Sequence, residues 1–315
     1  MRASDTKTGE NMSNDLEKYE GLISSKDYPL WGQSYYYNFY DPKTKTAALI
    51  RVGFMENRRE MNTWFVFFKD GLPIYNRVNM NLPHSTDRPL NGIKAAGMYI
   101  HAVEPLKKTR ILFSDVDFAV DLCWDELHPL ADCIELSADK TSSFAKDMAH
   151  VHLEGTSRIT GHITHRGVRA EIDGTGFRDI AAGNRNWDGL KTYRLAWPVF
   201  EDGTAFAGVR GVSTTDETSY LRMYHDGSEW IQVKHIEEKE VYAEDTFSIA
   251  SAHWKFIDGK DRHHEFTSKP LLRWFFSLDT FIMCEQIMEY RKSDGTVGYG
   301  LCENGYRLPW TGFNL

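Results

Sequence analysis

Long apolar runs are missing from this chain. No stretch of its 315 residues approaches the ~20 that a helix needs to cross a bilayer. An excess of positive charge is missing as well: 37 Lys and Arg stand against 45 Asp and Glu, a net charge of −8. That excludes the basic footprint of a nucleic-acid binder and any pull toward an anionic membrane surface. Cysteine is scarce and scattered. Cys123, Cys133, Cys284 and Cys302 form no C-x-x-C pair, which argues against zinc-knuckle and thioredoxin-like sites. Unpaired thiols and a polar N-terminus without an apolar signal core predict a cytoplasmic protein. Residues 1–14 read as a disordered tail.

Helical periodicity is nearly absent too. Only residues 15–24 and 137–148 fit short helices. Glycine motifs with a phosphate-binding role are also lacking. Gly174-x-Gly176 has no third glycine and no helix after it, and no G-x-S-x-G elbow occurs.

What is present is alternation. The chain is 41% hydrophobic and 13% aromatic, enough for a large core. Two-residue periodicity predicts strands near 33–40, 47–54, 63–68, 72–80, 98–103 and 110–124. The pattern resumes at 192–199, 205–212, 219–224, 229–234, 241–250, 253–257, 271–276, 281–291 and 297–302. Asp70-Gly71, between Phe68 and Leu72, is a hairpin signal. Many short strands with Gly/Asp turns predict an all-β fold of meandering antiparallel sheet. Two such units are expected, over 15–175 and 176–315, joined near residues 165–190.

The most informative stretch is His150 to Trp187. Val151, Leu153, Ile159, Gly161 and Ile163 fall on one side of a half-buried strand. His152, Glu154, Thr156, Arg158, Thr160 and His162 fall on the other. A second strand follows over 168–172. Then Gly174, Gly176, Arg178, Asp179, Gly183, Arg185 and Trp187 crowd into fourteen residues, a density of charge and indole that suggests a site.

Three chemical readings follow from these residues. Asp179 is an acid or base if it is buried, because desolvation raises a carboxyl pKa. Alternatively, Asp179 and an arginine form an ion pair that fixes the joint between the units. His150, His152 and Glu154 share a strand face, which is how β-barrel metal sites begin. A solvated or hydrogen-bonded polar face is the reading preferred over a metal. Arg262-His263-His264-Glu265 reads as a solvated loop. The aromatics are mainly core, with a minority lining a cavity for an apolar ligand.

The run from Gly174 to Trp187 resembles the G-x-G-x-R-D-H-x-W-G-x-R-x-W signature of the tandem lipocalin-like family of carotenoid hydratases, AttH-type proteins and related cyclases. Tyr220-Leu221 before Asp226-Gly227-Ser228-Glu229-Trp230, the strand from Val151 to Gly161, and Tyr299-Gly300 with Glu303 agree with it. The resemblance implies two lipocalin-like β units with a ligand pocket in and between them. It also implies a cofactor-independent lyase, isomerase or cyclase acting on a hydrophobic molecule of isoprenoid or polycyclic type. The alternative is a carrier of an apolar ligand without chemistry. Where the signature has His and Trp, this chain has Ile180 and Ala182, so the natural proton carrier is missing from the motif itself. The expected catalytic set is Asp179, Arg178 and Arg185. Trp187, Trp197, Tyr193, Tyr220, Trp64, His152 and Glu154 are the expected substrate-binding residues. No metal, cofactor, nucleic acid or membrane insertion is expected; the partner is a small hydrophobic ligand, and a homodimer is compatible.

Overall fold

The computed structural model describes residues 16–23, 25, 27–83, 92–137, 148–278 and 281–308. The expected tail and all but the ends of the helix expected at 137–148 lie outside the described residues. Among the described residues, no helix is long and apolar enough to cross a membrane.

The all-β expectation holds, in two units. The first contains β1 (Gly32–Asp41), β2 (Thr46–Met55), β3 (Glu60–Lys69), β4 (Leu72–Pro83) and β5 (Gly92–Ala95). It continues through β6 (Met98–Glu104), β7 (Lys108–Ser114), β8 (Phe118–Asp132), β9 (Val151–His165) and β10 (Val168–Gly183). These pair as one curled sheet, a half-barrel in the order β4-β3-β2-β1-β10-β9-β8-β7-β6-β5. The second unit is a closed eight-stranded antiparallel barrel. Its strands are β11 (Leu190–Phe200), β12 (Ala205–Ser213), β13 (Thr218–His225), β14 (Trp230–Tyr242), β15 (Ile249–Asp258), β16 (His263–Leu278), β17 (Phe281–Lys292) and β18 (Val297–Arg307). The crossing between sheets falls at residues 184–189, so 176–183 still pair within the first sheet.

Asp70 and Gly71 both have positive φ, 51° and 79°, as a two-residue hairpin of the Asp-Gly type requires. Several strand expectations change. The stretch 110–124 is two strands, because Asp115, Val116 and Asp117 turn the chain and leave Val116 98% exposed. The stretch 241–250 breaks after Tyr242, where the Asp245 carboxylate accepts the backbone N–H groups of Phe247 and Ser248 and closes a turn. His263 to Glu265 begin β16 instead of forming a loop, and His264 bonds to Asp258 at 2.8 Å. Residues 174–183 are strand as well. The motif glycines serve close packing: a Cβ on Gly176 would lie 1.9 Å from the Asn38 carbonyl oxygen, and one on Gly174 would lie 2.6 Å from that of Tyr40.

The faces of these strands explain the three cores. In β1, β2 and β3, Tyr35, Tyr37, Phe39, Ile50, Val52, Phe65 and Phe67 point into the half-barrel. The alternate residues Tyr36, Tyr40, Leu49, Trp64, Val66 and Phe68 point out against the second unit. They meet Tyr193, Leu195, Trp197 and Val199, which face outward from β11. The bore of the barrel is filled separately by Phe206, Tyr224, Trp254, Phe256, Phe266 and Tyr290. Both faces of β1 are therefore buried, and the two units share a continuous seam.

Candidate functional site

A cavity of about 140 Å³ lies in that seam. The half-barrel contributes Tyr36, Arg51, Trp64, His152 and Asp179 to its walls; the barrel contributes Tyr193, Leu195, Trp197, Glu285 and Glu303. Arg185 and Trp187 reach it from the crossing between the sheets. Most of the remaining wall is apolar, as a site for a hydrophobic ligand requires.

The strand pleat decides which expected residues arrive. Asp179 points into the seam and is only 5% exposed. Its neighbour Arg178 points the opposite way, into the half-barrel. There it is fully buried, pairs with Glu20 and lies 3.7 Å from Glu126. Glu20 also accepts the Leu106 N–H at 2.7 Å, so Arg178 ties the turn at Glu17–Glu20 to the sheet. It has no place at the cavity wall. Tyr220 is outside the cavity as well, beneath the Arg222 guanidinium at 3.7 Å, while its neighbours Ser219 and Leu221 line it. Trp64, Tyr193, Trp197, Trp187, Arg185 and His152 all line the cavity.

The imidazole that the motif lacks comes from the next strand. His152 on β9 stands beside Ala181 in the ladder, and its Nε2 bonds to the Asp179 carboxylate. Glu154 is fully buried behind it, with Oε1 3.3 Å from the same nitrogen. The polar strand face is thus hydrogen-bonded where it meets the second unit, at His152 and Glu154, and reaches solvent farther along, at Arg158. Burial opposes an imidazolium here, yet Cys133, Asp179 and Glu154 around it, with the bond to Asp179, carry His152 well above its usual pKa. Burial lifts Glu154 to about 8 and the Cys133 thiol to about 12. Asp179 pairs with this histidine from its own sheet; the expected pairing with an arginine across the joint does not form.

Cys133, His152 and Glu154 bring three ligand atoms within 4.8 Å of one another. A divalent cation there would have to displace the His152–Asp179 bond and take the proton from a buried thiol. His150, the other expected ligand, stands apart from the group, against Tyr28 with ring centres 4.4 Å apart.

The barrel supplies a second acidic centre. Glu285 on β17 and Glu303 on β18 are directly paired across the ladder and both are buried. The Tyr36 hydroxyl donates to Glu285 Oε2 at 2.5 Å, and the Tyr193 hydroxyl donates to Glu303. Burial lifts Glu285 to about 7, against the hydrogen bonds from Tyr36 and Glu303 and the Arg51 charge, which lower it. Burial and then the Glu285 charge raise Glu303 well above the ordinary carboxyl range. Two adjacent buried carboxyls resist ionising together, so each raises the other's hold on its proton. Glu285, Tyr36 and Arg51 were not expected from sequence. A visible signal existed: Glu285 interrupts the buried alternation Met283, Glu285, Ile287, where a carboxylate has no packing role.

A family model described as a domain of unknown function, DUF7064, matches residues 24–306. The chain belongs to that family. No curated protein sequence matches this DUF7064 chain significantly. Solved structures share its fold. A protein of Nitrosomonas europaea named for AttH superposes with a TM-score of 0.63 at 10% identity, covering 89% of this chain and 93% of the other. CghA with Sch210972 gives 0.61 at 10% identity, covering 89% of each chain. Kievitone hydratase from Nectria haematococca gives 0.60 at 10% identity, covering 90% and 93%. In this DUF7064 chain the altered motif positions Ile180 and Ala182 face the half-barrel's own core. Their change leaves the acid–base groups of the seam in place.

Proposed function

We propose that this protein is a cofactor-independent acid–base enzyme, a lyase, isomerase or cyclase of the hydratase kind. Its substrate is a hydrophobic small molecule, isoprenoid or polycyclic, bound in the seam between the two β units. One observation carries the reading: a His–Asp pair from one unit and a buried, ladder-paired carboxyl pair from the other open on the same apolar cavity. The shared fold of CghA, solved with Sch210972, and of a kievitone hydratase supports it.

His152, held as an imidazolium by Asp179, delivers a proton to a double bond or leaving oxygen. Glu285 accepts one from the carbon or water on the opposite side, and Glu303 keeps the carboxyl pair singly protonated. Trp64, Trp187 and Trp197 hold the apolar body in the reactive shape, so proximity adds to proton transfer. Arg178 stabilises the half-barrel and takes no part.

The test begins with native mass spectrometry of protein purified from its own host, to identify the bound apolar ligand. Asp179→Asn and Glu303→Gln are each expected to slow its turnover by about 10²-fold or more, with affinity held within threefold. A wild-type protein that binds the ligand and returns it unchanged is a carrier, and the enzymatic reading then falls.

A further inference from the structure

Two guanidinium groups meet where the seam cavity adjoins a second, more polar hollow of about 100 Å³. Arg51, Arg185, Ser34 and Trp187 line both spaces. Arg51 leaves β2 on the seam face and is 8% exposed. Its guanidinium lies 4.8 Å from the Trp64 ring centre, and Asn62 Oδ1 accepts one of its N–H bonds. Room for it is made by Gly53, where a Cβ would come within 2.5 Å of Arg51 Nη1. Arg185 adopts a left-handed backbone with φ of 50°, lies 5.4 Å from the Trp187 ring and donates to the Met148 carbonyl at 3.4 Å.

Among the described residues, neither guanidinium has a carboxylate within ion-pair distance. The other deeply placed arginines do: Arg178 pairs with Glu20, and Arg194 with Glu240. Burial, followed by the neighbouring Arg185 charge, pushes Arg51 down to about 10. Of the neighbouring groups that favour both charges, Asp179 counts first, and it is engaged by His152. Two like charges brought together without a counter-ion, one buried and one partly buried, are costly. A negative group on the ligand would offset that cost, and the forked donors of arginine suit a planar oxyanion.

We propose that Arg51 and Arg185 together anchor a carboxylate carried by the apolar ligand, so that the substrate is a hydrophobic acid. Its anionic end sits at the junction of the two hollows and its apolar body lies in the seam. This rests on the seam cavity being the ligand site, and it goes further by naming the substrate's charge.

The test uses 2-naphthoate and the matched neutral 2-naphthylmethanol, titrated into the full chain by calorimetry. Wild type is expected to bind the acid at least tenfold more tightly than the alcohol. Arg51→Gln and Arg185→Gln should each reduce that preference below threefold and leave the alcohol's affinity within twofold. Arg185→Lys should keep part of it. Arg185→Gln should also melt no lower than wild type without ligand, since it relieves repulsion; a purely structural arginine would give a clear loss. Equal binding of both probes by wild type overturns the anchor and leaves the cavity reading standing, as does an unchanged preference in both Gln variants. If neither probe binds, or if the cavity-blocking Leu195→Trp weakens neither, the cavity reading fails and the anchor with it.

Discussion

The bore of the barrel and the seam beside it have the same strands as walls and opposite contents. Inside the bore, Phe206, Trp254, Phe256, Phe266 and Tyr290 pack ring against ring, with Trp254 5.0 Å from Phe266 between centres. Across the same strands, the outward residues of β11, β17 and β18 border a hollow and carry Tyr193, Glu285 and Glu303. The resemblance implied a pocket in and between the units; here aromatic packing fills the bore. The hollow lies where the two units meet, lined by His152, Asp179, Glu285 and Glu303. A cavity between units can draw chemistry from both, which is why the His–Asp pair and the carboxyl pair face each other without sharing a sheet.

The largest expected effects test whether the bore and the half-barrel interior serve stability alone. Trp254→Ala should destabilise by about 3–5 kcal/mol in denaturant titrations, because the surrounding rings cannot collapse into the space. Ligand affinity at the seam should stay within twofold. Arg178→Met should cost a similar ~3–5 kcal/mol, since it leaves the Glu20 and Glu126 carboxyls buried without their cation. Burial already holds Glu126 at about 8 against the favourable Arg178 charge. By contrast, Leu195→Trp adds bulk on the hollow side and should cost about 1 kcal/mol or less while blocking the ligand. If Leu195→Trp destabilised as strongly as Trp254→Ala, the contrast between a filled bore and an open seam would be lost.

The two adjacent residues 178 and 179 also show how far sequence reasoning reaches. The motif gathered Arg178, Asp179, Arg185 and Trp187 into one site by proximity along the chain. Strand alternation alone separates the first two, once residues 174–183 are known to be strand and not turn. The glycines left that open: Gly174 and Gly176 suit turns or close backbone approach, and here they let β1 approach β10. Strand positions and the all-β class were legible because alternation is a local signal, whereas the pairing of β1 with β10 was not. His152 was legible as a polar residue on a strand, but its bond to Asp179 depends on the β9–β10 register. Glu285 pairs with Glu303 across a ladder and meets Tyr36 from 249 residues away, a link that no local pattern carries. The seam's charge is therefore where sequence gave least and topology gave most.

A moderate effect sharpens the seam's own character. Glu285 and Glu303 have raised folded-state values, so the stability linked to their protonated form is present below the usual ~4.5 and is lost as pH rises through about 7. Glu303→Gln removes part of that penalty. Its melting temperature should exceed wild type by about 2 °C at pH 8, the shift that roughly 1 kcal/mol gives in a large domain. The advantage should shrink toward pH 5. An equal difference at both pH values would mean that the carboxyl pair does not share its proton in the folded state.

The smallest expected effect has the opposite sign and comes from a contact between the units outside both hollows. His128 on β8 stacks on His225 of β13 with ring centres 3.5 Å apart, and its Nδ1 bonds to the Thr156 hydroxyl at 2.5 Å. Burial, and then the neighbouring His225, lower His128 to about 4. A histidine depressed on folding contributes stability above its unfolded value of ~6.5, and that contribution is lost as pH falls toward 4. Partial solvent access limits it to about 1 kcal/mol. His128→Gln should therefore flatten the fall in melting temperature between pH 6.5 and 4.5 while leaving the alkaline side, where the carboxyl pair acts, as in wild type. Were the acid side unchanged, the two imidazoles would not hold the units together, and the seam's pH response would belong to the cavity groups alone.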